Sequence, residues 1–212
     1  MIKKKRFLLI HLANINSTNI GNGALIDGLE STIEEDFPVP VKWLREPWDN
    51  YTFGFTDFDE AFVNKVNSSD GLIVGGAVTF NGRDYNQRTG TRFELPFELW
   101  PKIKKPVIFY GLSYRHWQGQ TYHHIDKLKI TIAKILEAPN MMLTLRSDGT
   151  RQWLLEMTGI QSDEILDVPD SALFVRPDLD SKYTELTDGV KNVMIAFNLL
   201  WILFSTGSVV PS

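Results

Sequence analysis

The chain has no cysteine, which excludes disulfides, thiolate-ligated zinc, iron–sulfur clusters and a thiol nucleophile together. That absence suits a reducing compartment, and a cytoplasmic location is expected. An excess of positive charge is missing too: 22 Lys and Arg stand against 26 Asp and Glu, a net charge of −4. This balance gives no bulk attraction to nucleic acid or to an anionic membrane, so neither partner is expected. The basic cluster Lys3-Lys4-Lys5-Arg6 precedes an apolar run and reads as a solvated flank. It imitates the start of a secretory leader, but His11 and Asn14 cut the run short and no small-residue cleavage pattern follows. Histidine is scarce, with 4 residues. No His-Glu-x-x-His or Asp/His cluster stands at ligand spacing, so no metal site is expected. Residues 193–210 carry no charge, yet Asn198, Ser205, Thr206, Gly207 and Ser208 interrupt them. A membrane span needs roughly 20 predominantly apolar residues, so membrane contact is not expected.

What is present is an ordinary globular composition, 43% hydrophobic and 23% charged, with enough Phe, Trp and Tyr for a large core. Short apolar runs alternate with helical periodicity. Residues 6–12, 71–76, 106–111 and 141–145 read as buried strands, and 39–44 as a weaker one. Helices are expected over 24–35, over a stretch capped by Asp57 that carries Phe58 to Val66, and briefly over 95–100. Two more follow, over 122–138 and from a Ser147 or Asp148 cap to Met157, with Gly159 as the stop. Residues 46–56 are aromatic and irregular, and 81–94 form a polar loop with Arg83, Arg88 and Arg92. Residues 165–168 and 172–175 flank a Pro-Asp-Ser turn. Strands separated by helices imply right-handed crossovers: an α/β fold with a Rossmann-like, mostly parallel sheet and helices on both faces. In such sheets ligands bind beyond the carboxyl ends of the strands.

The organisation expected is a Rossmann-like domain over 1–176, a linker over 177–191, and over 192–212 the start of a second, truncated domain. Asn192 to Asn198 look like a first strand with no helix or partner strand after it.

Four strand-end segments carry the chemistry. Gly21, Asn22 and Gly23 stand between the first strand and the first helix, where backbone amides and the helix N-terminus favour a small, anionic ligand. A tight turn explains them equally well, and the spacing is not Gly-x-Gly-x-x-Gly. Gly75 and Gly76 close a strand and allow close approach of a ligand, or of a packed helix. Arg146 is delivered to the sheet edge beside Asp148, and Arg suits bidentate recognition of carboxylate or phosphate. Asp148 equally serves as a helix cap. Asp170 sits in a sharp turn that an Asx-turn accounts for. His116 and His123 are the candidates for a general base on the cleft side; His123 and His124 also read as surface residues at a helix start. Trp117 and Tyr122, near Arg115, can stack on a sugar ring or simply pack the loop.

The order of these segments is more specific than any one of them. Asn19-Ile20-Gly21-Asn22-Gly23-Ala24, then Asp70-Gly71-Leu72-Ile73-Val74-Gly75-Gly76, then Lys105-Pro106-Val107-Ile108-Phe109-Tyr110-Gly111, then Leu145-Arg146-Ser147-Asp148 and Pro169-Asp170-Ser171-Ala172 resembles the polysaccharide pyruvyl transferase family. The resemblance covers about residues 7–198 and matches the N-terminal half of a family member. It implies the first half of a GT-B-like two-domain architecture, with a cleft between Rossmann-like halves. It also implies transfer of the enolpyruvyl group of phosphoenolpyruvate to sugar hydroxyls, forming ketals on cell-surface polysaccharides. Gly21, Asn22 and Gly23 match the family's first glycine loop, and Arg146 and Asp148 its Arg-Asp pair before a helix. Gly23-Ala24 stands where many members have Gly-Asp, so one polar contact is lost. The family's main basic residues for phosphoenolpyruvate belong to its second half, and no catalytic residue is carried over from there.

The reading is therefore a transferase-like protein of polysaccharide biosynthesis, expected to be inactive as a truncated chain. Its donor is phosphoenolpyruvate, its partner a sugar or polysaccharide-precursor acceptor, and no other cofactor is expected. The alternative is a non-catalytic carbohydrate- or anion-binding module. A nucleotide-dependent oxidoreductase is disfavoured by the glycine spacing and the missing ribose-binding acid. No oligomeric state is indicated.

Overall fold

The computed structural model describes residues 6–176. The linker and second-domain expectations for 177–212 lie outside the described residues. Strands and helices interleave from the start: β1 (Phe7–Ala13), α1 (Ile20–Asp36), β2 (Val41–Pro47), α2 (Trp48–Thr52), α3 (Glu60–Asn67) and β3 (Gly71–Gly75). There follow β4 (Val78–Phe80), β5 (Val107–Tyr114), α4 (Ile125–Glu137), β6 (Met141–Arg146), α5 (Thr150–Thr158) and β7 (Leu166–Val168). All strand pairs are parallel, in the order β2-β1-β3-β5-β6-β7 with β4 also against β5. This is the α/β, Rossmann-like architecture expected.

Alternation along the strands decides which face each helix covers. Ile10, Leu12, Leu72 and Val74 point into one contiguous core with Phe62 and Val66 of α3, Leu128, Ile132 and Ile135 of α4, and Trp153 of α5. Each of those aliphatic side chains stabilises the fold by about 1.5–3 kcal/mol relative to exposure. The intervening residues His11, Ala13, Ile73 and Gly75 face the other way, toward Ile26 and Leu29 of α1. Helices therefore lie on both faces, as the change of direction after β2 requires of right-handed crossovers.

Two neighbouring strands break at the same level. Gly76 (φ +69°) separates β3 from β4, and Gly111 (φ +54°) interrupts β5 where its register with β6 shifts. The Gly76 amide donates to the Tyr110 carbonyl across the break. Only glycine enters this region of backbone space without strain, so both strands bend together and resume pairing as β4 with the end of β5.

Several local expectations are corrected. The first helix begins at Ile20, because Asn19 caps it by accepting from the Gly21 amide at 2.9 Å. Asp59, not Asp57, caps α3. Residues 95–100 form no helix beyond a single tight turn at Trp100–Lys102, because Pro96 and Pro101 withhold amide donors. The α4 helix starts at Ile125, and Tyr122 instead buries its ring and donates from its hydroxyl to the Gly90 carbonyl. Gly149 occupies the cap position of α5 without a side-chain bond. After the Pro-Asp-Ser turn, Ser171–Phe174 forms a helical turn, lodged against Gly28 of α1 where a Cβ would meet the Ser171 carbonyl. No helix among the described residues is long and apolar enough to cross a membrane.

Candidate functional site

Parallel strands gather their carboxyl ends on one edge of the sheet. After β1 the chain turns to β2 on one side, and every later strand lies on the other. The switch point is thus between β1 and β3, where open α/β sheets receive ligands. A crevice of about 10 Å³ lies there, lined by His11, Asn14, Asn22, Gly75, Gly76 and Ala77 among others. Three residues predicted from sequence, Asn22, Gly75 and Gly76, meet at this point. Gly21 and Gly23 do not line it: both are exposed in the first turn of α1, and a Cβ at Gly23 would touch nothing. The cap bond from Gly21 to Asn19 occupies an amide that an anion would have used.

Beneath the crevice lies a polar group the sequence reading missed. His11, 1% exposed, holds its Nδ1 2.8 Å from Oε1 of Glu30, itself 5% exposed on α1. Arg45 of β2 clasps the same carboxylate through Nε and Nη2, at 3.0 and 2.7 Å from Oε2. Burial pushes the Glu30 carboxyl up, but hydrogen bonds from His11 and Arg45 outweigh it and hold the group below its ordinary value. His11 Nε2 is buried and has no partner. The available signal was a histidine inside an apolar strand, opposite a glutamate on the inner face of the following helix.

Further along the edge, Arg146 ends β6 with all three guanidinium nitrogens engaged. Nε donates to Asp148 at 2.8 Å, Nη1 to Asp170 at 2.7 Å and Nη2 to the Ser113 hydroxyl at 2.6 Å. The remaining carboxylate oxygens take the Thr150 hydroxyl and the Ala172 amide. The structure thus unites Arg146, Asp148 and Asp170 in a closed knot tying the ends of β5, β6 and β7. An anion arriving here would meet two carboxylates already bonded to the guanidinium.

A third arginine, Arg92, comes from the irregular 81–94 segment, whose Asn81, Asn86, Thr89 and Thr91 are buried. Its guanidinium donates to Asn14 and Thr52, lies 3.7 Å from Asp49 and sits 5.0 Å over the Trp48 ring. Burial pulls this guanidinium below its ordinary value, against the pull of Asp49. Asp49 Oδ2 is the other buried side-chain atom without a partner among the described residues. A concavity of about 390 Å³ opens beside Arg92, with Tyr51, Asp57, Tyr85 and Arg88 in its wall.

The candidate bases lie elsewhere. His116 Nδ1 accepts from Trp153 at 3.3 Å, within a stack of Tyr114, Trp153 and Phe80. His123 is exposed, and His124 adopts a left-handed conformation before α4 with Nε2 2.8 Å from the Asp84 carbonyl. None of the three lines the switch-point crevice. A larger concavity, about 460 Å³ around Lys104, Lys134 and Met141, sits at the amino ends of β5 and β6. That is the edge opposite the strand ends that carry ligands in this architecture, so its size does not make it the site. Among the described residues no group of three His, Asp or Glu is placed to hold a metal.

No curated protein matches the chain. The family model for polysaccharide pyruvyl transferase matches residues 19–204, from the α1 cap through every later strand of the sheet. With that match running over most of its length, the chain belongs to the polysaccharide pyruvyl transferase family.

Proposed function

We propose that this protein acts in polysaccharide modification by transfer of a pyruvyl group from phosphoenolpyruvate to a sugar acceptor, with the described domain forming the acceptor wall of a cleft. The observation that carries the reading is the family match over residues 19–204. The parallel sheet supports it by presenting one continuous carboxyl edge. Ketal formation consumes two sugar hydroxyls. One adds across the enol double bond and leaves its proton on the methylene carbon; the other displaces phosphate, which departs with its proton. Such chemistry needs the hydroxyls held and the reacting groups aligned.

A second reading is a carbohydrate- or anion-binding module without chemistry. It is favoured by the internal engagement of Arg146 and Arg92, whose guanidinium groups already donate to side chains of this domain. Calorimetric titration with methyl pyranosides and with phosphoenolpyruvate, followed by a phosphate-release assay, separates the two. Saturable sugar binding with sugar-dependent phosphate release is the expected result. Sugar binding alone favours the module, and binding of neither compound overturns both readings.

A further inference from the structure

Glu30 is the key to the state of His11. An ionised carboxylate has no hydrogen to offer, so the hydrogen on the 2.8 Å contact belongs to His11 Nδ1. In the neutral ring Nε2 is then a bare acceptor. It is buried without a partner, an unfavourable state unless something supplies a donor. The ring has no freedom to seek one, because Arg45 fixes Glu30 and Glu30 fixes the ring.

The space before Nε2 is defined on two sides. A Cβ added at Gly75 would stand 3.2 Å from Nε2, so a side chain there would cover the atom that glycine leaves open. Asn22, in the first turn of α1, and Asn14, after β1, line the same crevice. Its volume of about 10 Å³ is near the room one water-sized atom needs. A phosphate, with four oxygens around phosphorus, does not fit within it, and a fully ionised phosphate ester such as that of phosphoenolpyruvate has no hydrogen for a bare acceptor. A single hydroxyl satisfies both conditions.

We propose that His11 is a ligand-binding residue whose Nε2 accepts a hydrogen bond from one hydroxyl of a polyhydroxylated ligand seated between Gly75 and the first turn of α1. Glu30 and Arg45 act through the ring as positioning residues. The proposal rests on the sugar-acceptor reading above for its ligand class, while the site itself rests on geometry. His11 precedes the residues matched by the family, and its partners Glu30 and Arg45 fall within them.

The test is ¹⁵N spectroscopy of the histidine rings in the full chain, with His11 identified by its loss in His11→Gln. The free protein should show hydrogen on Nδ1 and a bare Nε2. Methyl galactopyranoside or methyl glucopyranoside should move the Nε2 resonance toward its hydrogen-bonded position, and inorganic phosphate and phosphoenolpyruvate should not. Sugar affinity should fall about tenfold in His11→Gln, the equivalent of one hydrogen bond. Gly75→Ala should abolish the Nε2 response while keeping the Nδ1 signature, which reports that the Glu30 contact and the fold survive. Glu30→Leu should release the ring to mixed tautomers, and Glu30→Gln should restore hydrogen on Nδ1. A response to phosphate, or to none of these probes, overturns the proposal; the latter marks the crevice as a water site. Sugar-dependent phosphate release with a silent His11 would leave the transferase reading standing without this site. A responding His11 without phosphate release would do the reverse.

Discussion

Two polar clusters on the same sheet, around Arg146 and around Glu30, use similar parts to opposite ends. Each joins a guanidinium to carboxylate. Around Arg146 each of the three guanidinium nitrogens has a partner, two carboxylates and a hydroxyl between them. Arg146 is 21% exposed and its partners Asp148 and Asp170 about a third, at 32% and 34%. Around Glu30 the count does not close, and Nε2 of a histidine 1% exposed is left over. A conspicuous arginine at a strand end can thus be a tie between strands, while an unremarked histidine one layer deeper keeps a ring nitrogen without a partner. The difference is one of stoichiometry and depth, not of residue type.

The comparison breaks most sharply at Glu30. Removing its carboxylate in Glu30→Ala deprives buried His11 of its hydrogen-bond partner, and chemical denaturation should show a loss of about 3 kcal/mol. The equivalent cut at Arg146→Ala should cost only about 1 kcal/mol, because partly exposed carboxylates rehydrate. Equal losses, measured by the same urea titration, would remove depth as the explanation. The smallest effect is in pH. The Glu30 carboxyl is held below its ordinary value of 4.5 in the folded chain, so its contribution is present above that pH and is lost as pH falls through the lower folded value. The stability gap between the parent chain and Glu30→Gln should therefore narrow on acidification below 4.5. A gap that stays constant would mean that Glu30 titrates alike folded and unfolded.

Much of the fold was legible from pattern. The apolar run from Phe7 to Leu12 and the glycine-bounded run from Gly71 to Gly75 became central parallel strands, since nothing but burial on both faces suits such segments. Elements of a few residues were not legible. Val78–Phe80 is a strand only because the break at Gly76 returns it to β5, a pairing no local signal announces. The start of α1 was missed because Gly21 and Gly23 argue against helix, whereas the Asn19 cap outweighs their low propensity. Of the predicted site residues, Asn22, Gly75 and Gly76 converge on the switch point, and Arg146, Asp148 and Asp170 converge elsewhere, upon one another.

The amino-acid sequence alone determined the alternation of strands and helices and the ordered strand ends that resemble the family, because periodicity and glycine placement are local properties. Only the tertiary structure decided what those strand ends hold. It joined Arg146 to Asp170, 24 residues away, and His11 to Glu30, 19 away. Whether a polar group is spent or left free depends on the partners that folding brings to it, and hydrogen-bond capacity can be counted only once they are in place.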